Sequence, residues 1–119
     1  MDGGSLVLLD IDTDKFSDWL CDEEYLTDVL EAAALKAGAK ILHAFWHDFG
    51  EDCGVTGNLL LAESHITVHT YPETGYASFD IYMCGSCDPD VAANHIIEHC
   101  DGEVRRQRIE RRANGRLLP

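Results

Sequence analysis

Four short segments of alternating apolar and polar residues follow one another between Lys40 and Cys84, and a helical periodicity flanks them on either side. Lys40–Asp48 reads as the first strand, with Ile41, His43, Phe45 and His47 on one face and Leu42, Ala44 and Trp46 on the other. Val55–Ala62, His65–Thr70 and Tyr76–Cys84 follow, separated by the Gly50–Gly54 loop, a tight link at 63–64 and the Tyr71–Gly75 turn. Such links are too short for the crossover that parallel strands need, so the strands pair antiparallel. Before them lie a β-like run, Ser5–Asp12, and a helix from Asp22, where Tyr25, Leu26, Val29, Leu30, Ala33 and Ala34 recur at three and four until Gly38. After them, Asp88-Pro89 starts a helix running to about Cys100, and Glu103–Arg112 reads as a last, basic edge strand. The order β-α-β-β-β-β-α-β predicts an α+β two-layer sandwich, one antiparallel sheet with both helices on one face. The 119 residues suit one domain spanning 1–119. One such chain leaves the other face of the sheet thinly covered, so a homodimer is expected.

Charge narrows the partners. The net charge is −13, yet six of the nine basic residues (Arg105, Arg106, Arg108, Arg111, Arg112, Arg116) fall in the last fifteen positions. The body before them is strongly acidic and repels phosphate backbones, which argues against nucleic acid as a partner. The basic tail is expected to pair with that body or with a second subunit. An acidic body also suits a small cationic substrate. No apolar run approaches the roughly 18 residues of a membrane span, and the first residues lack a signal peptide's features. Five cysteines, an odd number, argue for reduced thiols and a cytoplasmic location.

Three His-x-x-x-His pairs invite a metal reading: His43/His47, His65/His69 and His95/His99. On strands this spacing leaves two imidazoles roughly 13 Å apart, too far for one ion. Only His95/His99 lies on an expected helix, where the spacing suits zinc, and it lacks a metalloprotease's glutamate directly after the first histidine. Partly buried, hydrogen-bonded histidines and no metal are the expectation. Cys84-Gly85-Ser86-Cys87 is a lone C-x-x-C, better read as one reactive thiol at Cys84 than as a redox pair or half a zinc site.

The segment Ala62–Gly85, AESHITVHTYPETGYASFDIYMCG, resembles the short bacterial and archaeal S-adenosylmethionine decarboxylases. The matching pieces are Glu63-Ser64-His65, His69-Thr70, Pro72-Glu73, Gly75-Tyr76-Ala77, Asp80 and Cys84-Gly85. Upstream, Gly54-Val55-Thr56-Gly57 is similar to the family's Gly-Val-Ser-Gly, and Phe45 to Phe49 to its aromatic strand end. The likeness is dense over about residues 39–85.

The resemblance implies a proenzyme that makes its own covalent pyruvoyl cofactor from Ser64. A serine hydroxyl attacks the preceding carbonyl, here that of Glu63, turning the amide into an ester. Removal of the serine α-proton then cuts the chain into 1–63 (β chain) and 64–119 (α chain, blocked by pyruvoyl). The resemblance gives His69 the role of processing base, Thr56 that of assisting hydroxyl in place of a serine, and Cys84 that of proton donor in turnover. Turnover in such enzymes runs through a Schiff base between the pyruvoyl ketone and the substrate amine.

The match fails chiefly in the first strand. The family opens with a His-Leu strand, an acid, an aromatic pair and a cysteine, whereas Ser5–Asp12 keeps only an acid, Asp10. Tyr71 replaces a usual tryptophan, and Gly50-Glu51-Asp52-Cys53 is longer and more acidic. These changes fall where substrate recognition would sit. Phe49 and Tyr71 favour an adenine ring, while Asp10, Asp12, Glu51 and Asp52 favour a cation; Glu73 completes the candidate binding set. S-adenosylmethionine is therefore set slightly ahead of arginine and ornithine, each of which would feed polyamine synthesis. Two other classes stand beside the enzyme reading: an unprocessed regulatory homologue, and a small thiol or metal protein using Cys84, Cys87, His95, His99 and Cys100.

Overall fold

The computed structural model describes residues 3–111. Its elements are β1 (Gly4–Asp12), a 3₁₀ turn (Asp18–Cys21), α1 (Glu23–Lys36), β2 (Ile41–Asp48), β3 (Val55–Leu61), β4 (Ser64–Tyr71), β5 (Tyr76–Cys84), α2 (Pro89–His99) and β6 (Glu103–Glu110). Helix starts are chemically specified. Asp22 accepts a hydrogen bond from the Tyr25 N–H at 2.9 Å, and Glu23, Glu24 and Lys36 are placed to suit the α1 dipole. Asp88 caps α2 by accepting from the Asp90 N–H, with Pro89 in the first turn, where a missing N–H costs nothing.

The six strands form one sheet in the order β2-β3-β4-β5-β1-β6, with every neighbouring pair antiparallel. Leu26, Leu30 and Ala33 of α1 and Ala92 and Ile96 of α2 share one core with Leu9, Ile11, Leu59, Ile66, Phe79 and Ile81 of the sheet. This is the expected two-layer α+β sandwich. The 3₁₀ turn was not foreseen; its Leu20 is fully buried, and the Leu20 carbonyl accepts from the Thr70 hydroxyl at 2.6 Å.

Alternation along β4 divides its residues sharply. Ser64, Ile66, Val68 and Thr70 are buried toward the helices, and His65, Thr67 and His69 lie on the other face. That open face also carries Phe45, 62% exposed, and Leu60, 50% exposed.

Strand β2 departs from the simple alternation. Ile41 pairs with Leu61 and His43 with Leu60, so Leu42 is an extra, bulged residue. Ile41 therefore packs against the core with Ala44 and Trp46, not on the face of His43 and Phe45, and Leu42 is pushed outward. A one-residue bulge leaves no mark on a period of two.

The glycines of the Gly54–Gly57 motif allow close approaches. A Cβ on Gly57 would come within 2.2 Å of the Trp46 ring, and one on Gly54 within 2.3 Å of the Thr70 carbonyl oxygen. At the opposite edge, Arg106 donates to Asp90 and Asn94, and Arg108 donates to Asp90 and Glu110. The Ser5 hydroxyl donates to Glu110 at 2.6 Å. Burial alone would raise the Asp90 carboxyl, but the hydrogen bonds from Arg108 and Arg106 outweigh it and hold it below its ordinary value. Arg106 and Arg108 of the tail thus pair with the body of their own chain; Arg112 and Arg116 lie outside the described residues.

Candidate active site

Ser64 opens β4 immediately after a two-residue link, Ala62-Glu63, and pairs with Leu61 across the hairpin. The link is tight enough to force Glu63 to φ 64°, a left-handed conformation that costs a side-chain-bearing residue about 1–2 kcal/mol. That strain sits on the residue whose carbonyl precedes Ser64. The same carbonyl accepts the Cys84 thiol proton, with Sγ to oxygen at 3.1 Å. Cys84 ends β5, where the register Gly4↔Cys84 and His65↔Tyr82 brings it beside the hairpin. A donor aimed at a carbonyl oxygen polarises that carbonyl and stabilises the negative charge it gains under attack. Ser64 itself is only 7% exposed. A cavity of about 320 Å³ adjoins this end of the sheet, lined in part by Ser5, Met83, Cys84, Cys87 and Arg108.

Thr56 and His69 face each other across β3 and β4, with Thr56 Oγ1 to His69 Nδ1 at 3.1 Å. The pair lies on the open face, near the opposite end of the sheet from the hairpin. Five residues of extended strand place His69 roughly 16 Å from Ser64, and an odd offset turns the two side chains to opposite faces. One chain therefore does not bring the serine and the histidine together. Closeness in sequence is the misleading signal here, because a strand converts every residue of separation into distance.

The remaining candidates divide in the same way. Phe49 is 60% exposed and meets His47 edge-on at 4.4 Å. Tyr71 stacks on Tyr76 at 5.6 Å, and Glu73 is exposed in the turn that follows. All lie at the His69 end. Asp10 and Asp12 share that end but already have partners. The Tyr76 hydroxyl donates to Asp10 at 2.9 Å, and the Asp14 N–H donates to Asp12 at 2.8 Å. Burial and then Asp10 push the Tyr76 hydroxyl above its ordinary value. Across the sheet, Arg105 is the register partner of Asp10. Strands β3, β4 and β5 separate Phe49 of the β2 end from Asp10 of β1, roughly 19 Å at ordinary strand spacing. Asp10 and Asp12, expected in one region with Phe49, do not meet it within a chain, whereas Glu51 and Asp52 share its loop.

Beside Cys84 on the open face stand two groups the sequence reading passed over. Tyr82 stacks on His65 at 5.7 Å, and the Arg111 guanidinium lies 5.9 Å from the Tyr82 ring centre. Alternation carried the signal for Tyr82, two residues before Cys84 on the same face.

All five thiols are free. Cys100 is fully packed in the core, where burial pushes its thiol up to about 12. His95 and His99 lie on one side of α2 with ring centres 4.3 Å apart. Contrary to the expected hydrogen-bonded histidine, Nδ1 of His95 is buried with no partner among the described residues. Among the described residues, no helix is long and apolar enough to cross a membrane.

A family model described as S-adenosylmethionine decarboxylase matches residues 7–112. An S-adenosylmethionine decarboxylase proenzyme of Geobacillus kaustophilus is 43% identical over 93 residues, covering 73% of this chain and 74% of that protein. A second, S-adenosylmethionine decarboxylase proenzyme 2 of Halalkalibacterium halodurans, is 45% identical over 87 residues, covering 67% and 68%. The crystal structure of the adenosylmethionine decarboxylase of Aquifex aeolicus is similar over 90% of this chain and 88% of that one, with a TM-score of 0.78 and 30% identity. With a family model spanning nearly its whole length and relatives at this identity, the chain belongs to the S-adenosylmethionine decarboxylase family.

Proposed function

We propose that this protein is a proenzyme that cleaves itself at Glu63–Ser64 and then decarboxylates S-adenosylmethionine for polyamine biosynthesis. The observation that carries the reading is the hairpin itself: a left-handed Glu63 whose carbonyl holds the Cys84 thiol, directly before a serine. Ser64 Oγ adds to the Glu63 carbonyl carbon, and the Glu63–Ser64 C–N bond breaks to give an ester and a free amine. The imidazole of His69 takes the α-proton of residue 64, and the Glu63 carboxylate leaves with the C–O electron pair. The dehydroalanine so formed takes up water and releases ammonia, leaving a pyruvoyl-blocked chain of residues 64–119 beside the chain 1–63. Opening the link also releases the strain at Glu63. The pyruvoyl carbonyl supplies the electron sink that loss of carbon dioxide needs. Cys84, whose Sγ already stands at this point, delivers the proton to carbon.

The base must come from a second copy. Ser64 and Cys84 occupy one end of the sheet and Thr56 and His69 the other, on an open face that leaves Phe45 and Leu60 in water. Two sheets stacked open face to open face about a two-fold axis set each hairpin end against the partner's His69 end. Such an isologous pair has two identical, shared sites. In each, Phe49, Tyr71 and Glu73 of one protomer would hold the substrate against Cys84 of the other. The partners already held by Asp10 and Asp12 favour S-adenosylmethionine over arginine or ornithine. The free thiols suit a reducing cytoplasm.

Intact mass of the purified protein, followed by carbon dioxide release from S-adenosylmethionine, arginine and ornithine, tests the reading. Two chains of 63 and 56 residues and release from S-adenosylmethionine alone are expected. One uncleaved mass after long incubation would instead assign the chain as an unprocessed regulatory subunit.

A further inference from the structure

The C-terminal half of α2 holds a second constellation, in the helix layer and away from the open face that carries His69 and Cys84. One ligand atom each from His95, Glu98 and His99 lies within 4.8 Å of the others. The spacing explains the convergence. Residues three and four apart on a helix share one side, and Glu98, between the two histidines and directly before His99, supplies the carboxylate. We propose that these three side chains bind one zinc(II) ion.

Three observations support it. The donor set is two imidazoles and a carboxylate, the combination zinc takes in open three-ligand sites, with water completing the coordination. Among the described residues, no group claims Nδ1 of His95, although His95 is only 8% exposed and a buried ring nitrogen ordinarily has a partner. His95 is buried, while Glu98 and His99 are exposed and free to turn inward. Zinc–nitrogen bonds of about 2.0 Å place tetrahedral ligands roughly 3.3 Å apart, so the three atoms need draw in by at most about 1.5 Å, a rotamer adjustment. Lys36, at the end of α1, lines the same shallow cavity and can swing its ammonium into solvent.

The ion would bridge successive turns of α2 at the point where the chain leaves for β6. Because the unfolded chain does not preform such a site, binding favours the folded state. The site is separate from the decarboxylase chemistry and its test does not depend on it.

Zinc titration of the full-length protein against a chromophoric chelator, with cobalt(II) as a spectroscopic stand-in, provides the test. Wild type should bind one equivalent and melt roughly 5 °C higher with saturating zinc. His99→Ala should lose that equivalent and the melting shift, and Glu98→Gln should bind at least tenfold more weakly. Both positions are exposed, so the variants should fold, and their circular dichroism should match wild type. An equivalent retained in His99→Ala but lost in Cys87→Ser would assign the metal to the Cys84–Cys87 pair and overturn the proposal. So would absence of binding in wild type.

Discussion

Ser64 and His69 sit in one short motif, yet the strand that carries them turns one toward the helices and the other to the open face. Ser64→Ala removes the nucleophile and should leave a single 119-residue chain, read by intact mass. Cys84→Ala should process more slowly, since the Glu63 carbonyl loses its donor. Loss of a general acid should also lower kcat by about 10²–10⁴-fold in whatever fraction matures. Full activity would reduce that thiol to a structural part. Phe49→Ala should raise KM for S-adenosylmethionine with cleavage intact, whereas Asp10→Asn should leave KM nearly unchanged, because its carboxylate already holds Tyr76. The residue types were legible in the sequence. Their distances were not, because strand geometry and the Glu63 conformation appear only once the hairpin closes.

Among the elements, the strands and helices could be read almost residue by residue, since alternation, caps and turn glycines all pointed the same way. What escaped was the bulge at Leu42 and the turn holding Leu20, both irregularities that periodicity cannot encode. Gly57 carries more weight than its motif suggests. Gly57→Ala would drive a methyl into Trp46 and should cost about 1–3 kcal/mol, measured by chemical denaturation. The clamp between β6 and α2 has a pH signature. Hydrogen bonds to Arg108 hold Asp90 and Glu110 below their ordinary values, in Glu110 after the bond from Ser5. Carboxyls depressed in the folded state contribute stability that is complete above their unfolded values and fades as pH falls through the folded ones. Arg108→Ala should therefore cost only about 0.5 kcal/mol at neutral pH, the clamp being partly exposed. The difference from wild type should shrink below about pH 4 and in high salt. A difference that persisted under both conditions would mean the side chain acts through packing.

For the whole molecule, the proposed shared site makes one chain half a machine. A sheet whose open face leaves Phe45 and Leu60 exposed, with a nucleophile at one end and a base at the other, makes sense when two copies stack. The sequence pointed to a dimer through the uncovered face, but not to the proposed division of the catalytic set, because a one-dimensional motif lists residues without assigning them to copies. Co-expression of Ser64→Ala and His69→Ala chains carrying different tags, with isolation of the mixed dimer, measures this directly. Each variant alone should remain essentially uncleaved. In the mixed dimer the Ser64→Ala chain lends its His69 to the intact serine of its partner, so the His69→Ala chain, and only that chain, should split into its 63- and 56-residue pieces. A mixed dimer in which both chains stay whole would contradict the shared site.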